Sequence, residues 1–339
     1  MARTRPTIND VAREAGVSKG TVSAVVNNKG SVREDTRDRV LAVIERLNYR
    51  PRAAAHRTAA AKASIGLLIR EADNPFYTEI ITTVRERAEE EGYTLLVATS
   101  EGDSDAERRI FELLRSKDVD GLIVNPVFSP HTDLSPIFEL KRRNVPLVLL
   151  EEIRGVVASL VDVDNVRATY RAARHLIELG HERIVHFAGP DYSVHTDQRI
   201  AGVRQAFSES SLILPARAVV GAGARLEDGY RVGLETFRRD DGRPTAVICY
   251  NDLVAIGLLR ALRELGLRVP GDVSVVGHDD IQLLDYMAPR LTTVRIPKRA
   301  MADRAVQILI RHIESRQPLP LERVVIDSEL VIGETTRAL

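Results

Sequence analysis

Apolar residues recur along this chain in two rhythms, and the change from one to the other falls near residue 63. Ahead of it the spacing is helical. Val11, Ala12 and Ala15 line one face of a first short helix, which Thr7 caps with Asp10 reaching back three residues later, and Gly16 ends it. Ser18 caps a second helix over residues 21–26, where Val22, Val25 and Val26 form the inner face and Lys19, Thr21 and Ala24 turn outward. Val32 leads into a third helix over 34–47 with Val40, Val43, Ile44 and Leu47 as its stripe. Two short helices joined through Ala-Gly-Val-Ser describe a helix-turn-helix.

Beyond residue 63, short apolar runs alternate with amphipathic stretches. Runs at 65–69, 94–99, 120–125, 146–151 and 159–163 predict buried parallel strands, separated by helices at 76–92, 104–117 and 133–143. A second series follows, with strands at 183–189, 217–221, 246–250 and 273–277 and helices at 165–180, 196–210, 227–239 and 251–266. Two similar series in succession imply a bilobed α/β body of two doubly wound parallel sheets with a cleft between them.

Composition adds a polarity to this layout. The 339 residues are ample for two cores, and 44% hydrophobic content excludes wholesale disorder. Net charge is zero from 48 basic and 48 acidic residues, yet residues 1–62 hold 13 Lys and Arg against 6 Asp and Glu, which leaves 35 against 42 for the rest. A basic head on an acidic body suits a head that meets phosphate. The single Cys249 excludes an internal disulfide framework and suits a reducing compartment. With no stretch apolar enough to span a bilayer and no secretory signal, a cytoplasmic protein is expected. Residues 52–62, RAAAHRTAAAK, carry no large apolar side chain and are too short to hold a helix alone, so they read as a linker that orders only when supported.

Ligands in doubly wound sheets bind at the carboxyl ends of strands. The side chains found there are Asp73, Asn74, Phe76 and Tyr77, then Asn125 and Phe128, Glu151, Tyr192, Asn251 with Asp252, and Asp279, while Arg199 opens a helix. Carboxylates, amides and one arginine offer donors and acceptors for vicinal hydroxyls, and Phe76 or Tyr192 offers a face for a sugar ring. A polyol-like ligand fits this set. Asn251 and Asp252 also stand where helix caps stand, and aromatic side chains at strand ends also serve as core.

Catalytic look-alikes fail on mechanics. Gly-Val-Ser-Lys-Gly at 16–20 spells a nucleophile elbow but lies at a corner between helices. His181 and His186 stand five apart, which at about 100° per residue puts them on different helix faces. Gly-Ala-Gly at 221–223 lacks the third glycine of a dinucleotide fingerprint. The pairs Asp162 with Asp164 and Asp279 with Asp280 have no nucleophile or metal cluster beside them. No catalytic residue, metal or cofactor is therefore expected, and the chain is read as a non-enzyme. A sugar-binding transport component, or an enzyme on the same scaffold, is the alternative.

The residues D-V-A-x-x-A-G-V-S-x-x-T-V-S-x-V-V-N, followed by N-Y-x-P at 48–51, closely resemble the lac repressor family of bacterial transcription regulators. The resemblance continues through Asn74–Tyr77, the R-x-x-G of Arg199 and Gly202, Asn251–Asp252, Gly-His-Asp-Asp at 277–280 and Leu-Thr-Thr-Val at 291–294. It implies a headpiece over 1–50, a hinge helix over 51–62, and a periplasmic-binding-protein-like body over 63–339. Lobe 1 would take about 63–162 and 294–322, and lobe 2 about 163–293 and 323–339. It also implies a repressor that sets recognition helices of a homodimer into a near-palindromic operator, under control of a small sugar-like effector. DNA contacts would come from Thr7, Ser18, Lys19, Gly20, Thr21, Ser23, Ala24, Asn27 and Asn28, with Ala24 suited to a thymine methyl. Arg52, His56, Arg57 and Thr58 would follow the minor groove, Thr58 standing where the family has a wedging leucine. His278 stands where the family has an aromatic. Effector contacts would fall on the strand-end residues named above. Induction is the expected sign, because a polyol site reports catabolic substrate, and a dimer is expected since no leucine heptads follow the last strand.

Overall fold

The computed structural model describes residues 7–26, 32–47, 63–116, 119–125, 133–238, 242–315 and 317–339, and the chain divides into two compact units, Met1–Lys62 and Ala63–Leu339.

In the first unit α1 spans Ile8–Ala15, α2 Lys19–Val26 and α3 Glu34–Arg46. Thr7 and Asp10 form a reciprocal capping box, with the Asp10 carboxylate accepting the Thr7 backbone N–H at 2.8 Å. Gly16 takes φ +64°, the left-handed turn that ends α1. Ser18 Oγ accepts the Thr21 N–H at 3.1 Å, and this cap starts α2 at Lys19, two residues before the apolar spacing places it. The core consists of Val11, Ala12, Ala15, Val22, Val25, Val40 and Val43, all small, which lets three short helices approach closely.

Among the described residues the second unit holds two six-stranded sheets. Its strands are β1 Ser64–Ile69, β2 Thr94–Thr99, β3 Gly121–Val124, β4 Leu147–Leu149, β5 Ser159–Val163, β6 Ile184–Ala188, β7 Val219–Gly221, β8 Ala246–Cys249, β9 Ser274–Asp279, β10 Thr292–Arg295, β11 Arg323–Ile326 and β12 Glu329–Val331. The first sheet runs β11-β5-β4-β3-β1-β2 and the second β12-β10-β9-β8-β6-β7. All pairs are parallel except β10 with β12, as expected of strands joined by covering helices. Those helices are α4 Pro75–Glu90, α5 Ser104–Ser116, α6 Ser135–Arg142, α7 Asn165–Glu178, α8 Val194–Glu209, α9 Leu226–Phe237, α10 Asp252–Glu264 and α11 Lys298–Glu314.

The chain passes between the sheets after β5, after β10 and between β11 and β12. This corrects the expected lobe boundaries. Residues 323–326 pair with β5, Val324 opposite Val161, and so belong to lobe 1; Val294 and Arg295 pair with β9 and so belong to lobe 2. The lobes change at Asp327–Ser328, where a short polar break lets β12 turn antiparallel onto β10.

Gly202 has a packing reason. A Cβ there would stand 2.2 Å from the Val166 carbonyl oxygen, so only glycine lets α8 lie this close to α7. That contact fixes the roll of α8 and with it the aim of Arg199, one turn away.

Candidate functional site

The carboxyl ends of the strands of both sheets line a cavity of about 50 Å³. Asn74, Phe76, Tyr77, Asn125, Tyr192, Arg199, Asn251 and Asp279 line it, as the strand-end rule anticipates. Arg70, Glu71, Asp162, His195 and Tyr250 line it too, and the sequence reading passed over them as ligand contacts. Arg70 directly follows β1 and Tyr250 directly follows β8, so the same rule reaches both. His195 sits four residues before Arg199 on α8, which shares its helix face. The expected start of α8 at 196 left it out, whereas the helix begins at Val194.

Three expected contacts stand elsewhere. Asp73 is exposed and off the cavity wall. Asp252 is fully buried behind it, accepting the Ile281 N–H at 2.9 Å and the Thr293 hydroxyl at 2.6 Å, so it ties the loop after β9 to β10. Glu151 is also behind the wall, at the centre of a polar cluster. Arg70 Nη1 donates to Glu151 Oε2 at 2.8 Å, while the Ser193 hydroxyl and the His195 backbone N–H donate to Oε1 at 2.6 and 3.3 Å. A lobe 1 carboxylate is thus seated on the N-terminus of α8, where unpaired N–H groups and the helix dipole favour negative charge. Burial raises the carboxyl's pKa, but Arg70, His195 and Ser193 outweigh it and leave Glu151 at about 2.

The other wall residues are held just as firmly. Arg70 Nε donates to the Tyr77 hydroxyl at 3.1 Å, and that hydroxyl donates to Asn125 Oδ1 at 2.5 Å. Burial raises the Tyr77 pKa, which keeps the phenol protonated as a donor. Phe76 meets the Tyr77 ring edge-on with centroids 5.1 Å apart. Arg199 donates from Nε to Asn165 Oδ1 at 3.0 Å and from Nη1 to the Tyr250 carbonyl, with its guanidinium 4.5 Å from the Tyr250 ring centroid. Asp279 ends β9 at φ +116°, a region L residues rarely adopt. Burial pushes its carboxyl up to about 6, a rise that Arg199, Lys298 and Arg70 offset only in part. Burial likewise raises Tyr192 to about 12 and lifts the Glu71 carboxyl above its ordinary range.

Asn74 and Asn251 also work as caps. Asn74 Oδ1 accepts the Phe76 N–H at 3.0 Å, and Asn251 accepts the Val254 N–H at 2.9 Å while donating to the Ala224 carbonyl at 2.8 Å. The wall therefore presents a ring of oriented donors and acceptors with aromatic faces among them, suited to a small molecule rich in hydroxyls.

In the head, Lys19 and Gly20 are exposed on α2, and Thr21, Ser23 and Ala24 are partly so. Thr7 is committed to the capping box, and Ser18 caps α2 with its hydroxyl 2.9 Å from that of Thr21. Asn27, Asn28, Arg52, His56, Arg57, Thr58 and Phe128 lie outside the described residues.

Comparison with known proteins gives two family matches. Residues 7–52 match bacterial regulatory proteins of the lacI family, and residues 173–336 match a periplasmic binding protein-like domain. The chain is 32% identical to the HTH-type transcriptional regulator DegA of Bacillus subtilis (strain 168), over 99% of each. Among solved structures it is similar to a transcriptional regulator CelR–cellobiose complex, with TM-score 0.72 and 30% identity over 98% of this chain and 100% of that one. It is also similar to the lac repressor dimer bound to operator and the anti-inducer ONPF, with TM-score 0.73 and 28% identity over 99% of this chain and 100% of that one.

Proposed function

This chain belongs to the lacI family of bacterial regulatory proteins, and from that premise we propose that it represses transcription in the cytoplasm as a homodimer on a near-palindromic operator, released by a sugar or sugar derivative bound between its lobes. As a DNA-binding regulator it needs a reading surface and a sensing site. Lys19, Gly20, Thr21, Ser23 and Ala24 are the proposed reading surface, with Asn27 and Asn28 beyond it. Lys19 supplies a phosphate or base contact and Ala24 a methyl contact.

The observation that carries the sensing role is the composition of the cavity wall. Arg70, Asn74, Tyr77, Asn125 and Asp162 come from lobe 1, and Tyr192, His195, Arg199, Tyr250, Asn251 and Asp279 from lobe 2. A ligand touching both sets has different affinity for open and closed arrangements, which is the only way it can shift the equilibrium between them. A sugar held in this cavity would touch side chains of both lobes. CelR, 30% identical over 98% of this chain, is described in a complex with cellobiose, which supports a carbohydrate class for the ligand.

Selection from random duplex DNA with the full chain, followed by fluorescence anisotropy, supplies the operator. Thermal-shift screening of sugars, sugar acids and nucleosides supplies the ligand. The ligand that raises the melting temperature is expected to weaken operator binding, and Arg199→Ala to remove that response while leaving ligand-free operator binding in place. A saturating ligand that leaves operator affinity unchanged refutes the coupling.

A further inference from the structure

His195 is a point at which the two lobes meet. It belongs to lobe 2 through α8, is 7% exposed, and places Nε2 at 3.0 and 3.1 Å from the two Asp162 carboxylate oxygens of lobe 1. Its other ring nitrogen, Nδ1, lies 3.7 Å from Glu151 Oε2, also of lobe 1. A neutral imidazole with its proton on Nε2 serves Asp162 alone, whereas an imidazolium presents a positive charge to both carboxylates, at hydrogen-bond distance from Asp162 and at ion-pair distance from Glu151. Charge balance favours the second. Arg70 pairs with Glu151, and His195 is a basic side chain within hydrogen-bond distance of the other carboxylate, Asp162.

We propose that His195 is a positioning residue for the cleft, and that closing the lobes seats its imidazole between Asp162 and Glu151 with uptake of one proton. The proposal rests on reading the cavity as a cleft that opens and closes. Other groups facing the imidazole act in both directions. On its own helix Arg199 and the first turn of α8 oppose a positive charge, and Asp197 faces outward to Arg154 of lobe 1 at 2.5 Å. From β9, Asp279 favours the cation and is itself lowered by it, while the buried His278 is held neutral. Burial disfavours the imidazolium, but Asp162 and Glu151 outweigh burial and Arg199 and raise the His195 pKa above 6.5. The proton is therefore bound more tightly in the closed arrangement. Closure is favoured at low pH and weakens as pH rises through the raised value, by at most about tenfold in the closed-to-open ratio per pH unit.

The test is a distance measurement on the full chain. Nitroxide labels at Glu112→Cys on α5 and Glu235→Cys on α9 sit on exposed positions of lobes 1 and 2, and the buried Cys249 stays unlabelled. Electron–electron resonance distances are recorded from about pH 5.5 to about pH 9, the range in which a histidine changes charge. The short-distance population is expected to shrink as pH rises, with wild-type imidazole carbon resonances showing a His195 titration above 6.5 that is lost in His195→Gln. His195→Gln is expected to flatten the distance profile. His195→Lys, cationic throughout, is expected to keep the short distance at every pH, and melting curves establish that both variants are folded. A flat wild-type profile, or a His195→Gln profile matching wild type, overturns the proposal. If the profile is flat while a ligand from the sugar panel still closes the lobes at fixed pH, only the proton coupling falls. If neither pH nor ligand moves them, the reading of the site falls with it.

Discussion

The helical head and the cleft of the body place the side chains proposed to read DNA and to hold the ligand in opposite ways. In the head they follow one another along α2, exposed, on a core of valines and alanines that a few local contacts define. In the body they come from the ends of strands far apart in sequence and are buried in ion pairs and caps. A reader of DNA needs a protruding face whose residues desolvate only against the duplex. A sensor of a small molecule needs groups already desolvated and aimed, so that a ligand replaces existing contacts instead of ordering new ones. Mutations should therefore cost stability in the body and affinity in the head.

The largest effect is expected at Glu151. Glu151→Ala leaves Arg70 buried without its carboxylate, a loss of about 3–5 kcal/mol. Scanning calorimetry of the full chain should show the body transition falling steeply. Acid should do the same more gradually. With Glu151 held at about 2 against an ordinary 4.5, its contribution is complete above the ordinary value and is lost as pH falls through the depressed one. That difference corresponds to about 3 kcal/mol.

Asp279 has the opposite sign. Its carboxyl is raised to about 6 from 3.8, so ionisation at neutral pH penalises the folded body by about 3 kcal/mol, a penalty that grows between those two values and is complete above the higher one. Asp279→Asn is expected to raise the unfolding free energy of the body at neutral pH by about 2–3 kcal/mol, to lose that advantage below the ordinary aspartate value, and to weaken ligand binding. Stability without binding marks a group kept for its ligand. A variant that is less stable at neutral pH would mean that the salt links of Asp279 outweigh its burial.

The same contrast explains what the sequence discloses. Thr7, Asp10, Gly16 and Ser18 act on neighbours within a turn, so cap, stop and restart are visible in the order of residues. The apolar runs at β1, β3 and β8 mark themselves as strands buried on both faces. The sheet to which residues 323–326 belong is invisible locally, because it depends on where the chain crosses between lobes after α11. Arg70 was within reach of the strand-end rule and His195 fell just before the expected start of α8, but the pairing of each with a residue distant in sequence, Glu151 for one and Asp162 for the other, is visible only in the fold. Asn251 was legible as a cap and a wall residue at once, and the structure shows it beside the cavity with its amide engaged at both ends.

The finest test lies within the head, where two glycines four residues apart should respond with opposite signs. Gly16 occupies φ +64°, and an alanine there meets the left-handed penalty of about 1–2 kcal/mol, lowering head stability. Gly20 lies exposed within α2, where an added Cβ comes no nearer than 3.6 Å to the Ser18 hydroxyl. Neither backbone angle nor packing asks for glycine at that position, and glycine weakens a helix by about 0.5–1 kcal/mol relative to alanine. Gly20→Ala is therefore expected to stabilise the head by somewhat less than about 1 kcal/mol, read as a small upward shift of its denaturation midpoint. If α2 comes close to a base edge or phosphate at this point, the same methyl group should weaken operator binding measured by anisotropy. Gain of stability with loss of affinity would identify Gly20 as a site of close DNA approach, whereas gain of stability with unchanged affinity would move the contact surface towards Lys19 and Thr21.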